Sequence, residues 1–132
     1  MSAHGEHGGA TLPMLAVVGL LVVLAFGVVD VGRYMAASSQ AATAADAAAL
    51  AAAPVTFRPF GARGSPVAEA ARLASANGTR LVWCACSVDP GFATREVEVV
   101  VTARVDLVLF GPRWVRASSR AEFIPTAVLP ME

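Results

Sequence analysis

The chain has 132 residues, ten basic and ten acidic, for a formal net charge of zero, and 56% of its side chains are hydrophobic. Such a balance offers no bulk charge for nucleic-acid binding, and the length holds one domain at most. Two cysteines are too few for a disulfide scaffold or a zinc site.

Residues 1–9 (MSAHGEHGG) are polar and glycine-rich, the composition of a disordered tail. From Ala10 to Val29 no residue is charged. At ~1.5 Å per residue these twenty positions cover about 30 Å, the hydrocarbon thickness of a bilayer. They predict a membrane-spanning helix carrying Leu12, Leu15, Leu20, Leu21, Leu24 and Phe26. Pro13 falls in its first turn, where a missing N–H costs least. Asp30 and Arg33 mark the water boundary, with Tyr34 as an interfacial aromatic.

Gln40 to Ala53 (QAATAADAAALAAA) has high helix propensity and little side-chain bulk. It reads as the span's continuation into water, a stalk whose alanines allow close helix packing and whose Asp46 faces solvent. A continuous helix over 10–53 would be about 66 Å long. A rod of that length suits an assembly better than a single compact domain. The alternative is a Sec-exported small binding domain, cut at one of the A-x-A matches near Ala53.

Pro and Gly punctuate 54–64 (PVTFRPFGARG) as a linker. Ser65 then serves as N-cap and Pro66 as the first helical residue. The helix over 66–76 would bury Val67, Ala70, Ala71 and Ala74 and stop at Asn77-Gly78. Beyond Thr79 the period changes to two. The expected strands are 80–88, 95–109 and 114–124, with turns at Asp89-Pro90-Gly91 and Gly111-Pro112 and a loose tail from Pro125. In the second strand Val97, Val99, Val101, Ala103, Val105, Leu107 and Leu109 share one face, with Glu96, Glu98, Arg104 and Asp106 on the other. That alternation describes an antiparallel sheet with one wet face. The fold class is therefore α+β: a long N-terminal transmembrane and stalk helix (10–53), then a short helix and a three-stranded antiparallel meander in a small domain (54–132). A long helix lying on a small antiparallel sheet is a pilin-like arrangement.

No catalytic constellation emerges. Both histidines, His4 and His7, lie in the polar tail, which leaves the folded domain without a base for a Ser-His-Asp or Cys-His arrangement. No Walker, Rossmann or G-x-S-x-G pattern occurs. Glu96 and Glu98 read as a solvated face, and Trp83 and Trp114 as sheet residues. Cys84 and Cys86 would share one face of a strand, either as small half-buried residues or as a disulfide formed outside the cytoplasm. The expectation is a non-enzyme without cofactor, metal or small-molecule substrate.

Three stretches resemble the TadE/TadG-like family of tight-adherence (Flp-type) pilus systems, especially its actinobacterial branch. Glu6–Leu12 (EHGGATL) is similar to the family's E-R-G-S-A-T-V, and Gln40–Ala53 to its Q-x-A-A-D-A-A-A-L-A-A-A. The third is Ala76-Asn77-Gly78, followed by a cysteine-bearing apolar strand and a valine-rich one. The resemblance implies a minor pilin-like or assembly component in the cytoplasmic membrane, single-pass, with its C-terminal domain outside. Its partners would be the membrane and other pilus-assembly or pilin-like proteins met through the N-terminal helix. It also implies prepilin-type processing between Gly8 and Gly9. The fifth residue of the product would then be Pro13, where such relatives carry glutamate, so an uncleaved accessory role fits this sequence better. The positive-inside rule, with Arg33 after the span, favours the opposite topology.

Overall fold

The computed structural model describes residues 11–59 and 64–127. The expected tail, with Gly8 and Gly9, lies outside them, as does part of the 54–64 stretch. One helix, α1 (Thr11–Val55), runs unbroken through both the apolar run and the alanine stretch. Its 45 residues make a rod of about 68 Å. A second helix, α2 (Pro66–Ala76), follows, then β1 (Arg80–Ala85), β2 (Arg95–Leu107) and β3 (Gly111–Phe123). The strands form an antiparallel sheet in the order β1-β2-β3. The α+β fold is thus as the residue pattern predicts.

The core lies along the second half of α1. Ala37, Ala41, Ala44, Ala45, Ala48, Ala49, Ala52 and Ala53 are all buried. Their three- and four-residue spacing places them on one stripe of the helix. Val97, Val99, Val101, Ala103 and Val105 of β2 face them, with Val115 and Ala121 of β3. Methyl-sized side chains let the helix settle close to the sheet, where the β-branched valines fill the pleats. The alanines therefore pack inside this chain, and the stalk is the central element of the domain. Asp46 stays exposed but accepts a 2.5 Å hydrogen bond from the Ser119 hydroxyl of β3.

The cap signals around α2 act as expected at both ends. Ser65 Oγ accepts the Ala68 N–H at 3.1 Å. At the C-terminus Thr79 N bonds to Ala74 O (3.0 Å) and Gly78 N to Ser75 O (3.0 Å), a Schellman motif with Gly78 at φ +73°. The buried face differs from expectation: Pro66, Ala70 and Ala74 turn inward with Leu73 beside them, while Val67 is exposed. Leu73, half-buried, packs against the core beside these small residues.

Four further expectations are corrected. The 54–64 stretch is no simple linker. Pro54 and Val55 complete α1, and Thr56 and Phe57 are buried, with Phe57 paired to Asp89 in an isolated parallel bridge. β1 ends at Ala85, and a bulge between Leu81 and Trp83 shifts its register. The β2–β3 turn lies at Val108–Phe110, before Gly111-Pro112. Leu107 pairs with Gly111, whose φ of +68° suits it to close the turn. Finally, Pro125 begins a short 3-10 helix (Pro125–Ala127) and is itself buried, so the chain is ordered there.

Candidate functional site

Two features set α1 apart as the working part of the molecule: a long bare segment and the junction where the sheet meets it. From Leu12 to Val29 the apolar side chains are exposed, among them Leu12, Leu15, Leu20, Leu21, Leu24 and Phe26. The helix is long and apolar enough to cross a membrane.

The junction is built by Asp30, which is only 3% exposed. Its carboxylate accepts the backbone N–H groups of Val108 (2.6 Å) and Leu109 (2.8 Å) at the β2–β3 turn. One helical turn on, Arg33 Nη1 donates to Asp106 O at 3.2 Å. The pair expected to mark a water boundary also fastens the hairpin to the helix. Nothing local in the sequence signals this, because the partners lie nearly eighty positions away.

A second fastening closes the far end of the sheet. The Arg95 guanidinium donates to Thr56 O (3.0 Å) and Asp89 O (2.6 Å), and also bonds Gly91 O. It lies 5.5 Å from the centroid of the Phe57 ring, which stacks edge-on against Phe92 at 5.3 Å. From Arg33 to Thr56 the helix advances about 35 Å, and from Asp106 to Arg95 the strand advances about 36 Å. Helix and strand are thus matched in length and pinned at both ends.

The quoted sequence motifs meet in space. Gln40 Nε2 donates to Asn77 O at 2.9 Å, which ties the alanine stretch to the Asn77-Gly78 turn. A Cβ at Gly78 would stand 2.7 Å from that Gln40 nitrogen. Cys84 is half-buried and Cys86 buried, both on the core side. β1 ends before Cys86, so the backbone curls and brings the two Cα atoms to 5.3 Å, with the sulfurs adjacent. That spacing lies within disulfide range. Glu96 and Glu98 are both ion-paired with Arg120 on the wet face. Among the described residues no group of three or more His, Cys, Asp or Glu is placed to hold a metal ion.

Residues 8–55 match the model of the putative Flp pilus-assembly TadE/G-like family. The similarity to that family covers this segment alone. The segment contains all of α1, both the bare half and the alanine half, and stops where α1 stops. No curated protein and no solved structure matches the chain.

Proposed function

We propose that the chain is a membrane-anchored minor pilin-like or accessory protein in the assembly of a tight-adherence pilus or a related secretion system. The observation that carries this reading is the continuity of α1. The TadE/G-like segment is at once the apolar rod and the central element of the folded domain, so a force or contact at one end reaches the other without a flexible joint. In this reading 1–9 is a tail, 10–53 the span and stalk, and 54–132 a small domain outside the cytoplasmic membrane whose core the stalk completes. Other pilus proteins would meet the chain through the exposed face of α1. Cys84 and Cys86, outside the cytoplasm, would be oxidised to a disulfide.

The alternative, an exported domain freed by cleavage near Ala53, is disfavoured by the core itself. Removing residues up to Ala53 would strip every α1 alanine from the sheet.

The deciding experiment is the intact mass of membrane-extracted protein from its native host. A start at Met1 or Ser2 is expected and fits a permanent anchor. A start at Gly9 would move fibre incorporation to the leading role, and one beyond Ala47 would overturn the reading. In parallel, Leu21→Arg should release the protein from the membrane fraction, since a central arginine opposes insertion by about 2.5–3.5 kcal/mol.

A further inference from the structure

We infer that the β2–β3 turn, Val108–Phe110, is a second membrane-inserted element, seated among lipid acyl chains beside the span. The inference rests on the reading of α1 as a span and adds a contact that reading does not require. Its basis is the position of the turn along the helix. Leu109 and Phe110 form an open apolar groove with Val23, Leu24, Gly27, Val28 and Val31. Only thirteen residues of the apolar run, 10–22, precede that groove, enough for about 20 Å of the ~30 Å that the hydrocarbon layer needs. A span that starts at residue 10 reaches ~30 Å only at Val29, so it immerses the groove residues Val23, Leu24, Gly27 and Val28, and the turn goes with them.

The chemistry of the turn fits that depth. Val108, Leu109 and Phe110 carry no polar side chain, and Phe110 is 59% exposed although it is the largest of them. Irregular backbone at membrane depth needs its polar groups satisfied by protein. Asp30 provides this for two successive N–H groups, at 2.6 and 2.8 Å. The carboxylate is itself buried between helix and turn, away from lipid. Arg33 and Tyr34 follow immediately on α1, and Trp114 lies exposed just above the turn, the residue types that settle at the membrane–water interface. Lipid is the occupant because the groove is continuous with the bare face of the span and shares its purely apolar character.

The test uses the unaltered full-length chain in phosphatidylcholine vesicles containing a lipid with a photoactivatable group in its acyl chain. Trypsin would release the turn as the peptide Val105–Arg113 and the outer sheet as Glu96–Arg104. Adducts are expected on the span peptide ending at Arg33 and on Val105–Arg113, with none on Glu96–Arg104. Labelling of the span peptide without Val105–Arg113 would overturn the inference and leave the span standing, because the turn would then lie in water or under another protein. No labelling of the span peptide would remove the anchor reading and the inference together.

Tryptophan reporters in a Trp83→Phe/Trp114→Phe background give a second measurement. Phe110→Trp and Leu21→Trp should both lose fluorescence to acyl-brominated lipid, and Ser118→Trp, on the outer face of β3, should not. A blue-shifted Phe110→Trp that lipid bromine does not quench would mean that a protein surface covers the turn, again overturning the inference.

Discussion

The two halves of α1 are both rich in apolar residues and share one unbroken backbone, yet only the second packs against the sheet. From Leu12 to Val29 the side chains are large, occupy every face of the helix and touch almost nothing in the chain. From Ala37 to Ala53 the buried side chains are small, confined to one stripe and closed against the sheet. The difference shows that hydrophobic content alone does not decide what a helix buries against. Bulk and angular spread do: a wide coat of leucine and valine suits lipid, whereas a narrow alanine stripe suits a neighbour that must come close. Asp30 stands at the change of regime, and its two hydrogen bonds bring the sheet's end to that point.

The most damaging way to break this arrangement is at the point of change. Asp30→Ala leaves the Val108 and Leu109 N–H groups without their carboxylate, at a cost of roughly 3 kcal/mol for the two charge-assisted bonds. The expected signature is faster amide exchange at Val108 and Leu109, with slower change at the Arg95 end. Asp30→Asn, which keeps one acceptor oxygen, should fall between the two. Unchanged exchange at both amides would show that Asp30 does not hold the turn.

The same substitution made in each half gives the sharpest comparison. Ala48→Leu forces a larger side chain between α1 and the sheet and should destabilise the domain by about 1–3 kcal/mol. Ala16→Leu adds the same atoms to the exposed half and should leave unfolding unchanged. Denaturant melts in detergent would separate them. Equal effects would refute the division of labour along α1.

Gly78→Ala probes how α2 is fixed to the buried half. The residue sits at φ +73°, and a non-glycine there costs about 1–2 kcal/mol. The added Cβ would also press on Gln40 Nε2. Because that amide can rotate away, Gln40→Ala should recover only the smaller part of the loss in a double variant. Full recovery would mean that the contact, rather than the backbone, sets the requirement for glycine.

Regular spacing made much of this fold legible in the sequence. The alternation from Val97 to Val105 gives β2 and its buried face, and Ser65-Pro66 with Asn77-Gly78 bounds α2 to the residue. What stayed hidden depends on partners remote in sequence. Asp30 looks like a boundary charge until the turn it caps, nearly eighty residues away, is placed beside it. Phe57 lies in a Pro- and Gly-rich stretch whose local chemistry says loop, while burial against Phe92 and Phe123 decides its position. The turn at Val108–Phe110 was masked because its residues continue the apolar pattern of β2 and because Gly111-Pro112 is the stronger local signal. Apolar residues in a turn make sense only when the neighbouring helix is read as a span.

The mildest perturbation concerns the outer face of α2, far from the bare half. Arg72 Nη2 donates to Glu69 Oε1 at 2.5 Å across one helical turn. That hydrogen bond, reinforced by the guanidinium charge, holds the Glu69 carboxyl below the usual carboxylate range. A carboxyl lowered on folding contributes stability that is complete above its unfolded value and lost as pH falls through the folded one. Acidification below the ordinary carboxylate range should therefore loosen α2 slightly, with amide exchange rising first in its opening turns. The pair is open to solvent, so added salt should shrink the effect and Glu69→Gln should flatten this part of the pH profile. The Asp30 turn and the alanine stripe should keep their exchange rates in the variant. A loosening that spread to them would mean that α2 contributes more to the cover of α1 than its small buried face, Pro66, Ala70 and Ala74, accounts for.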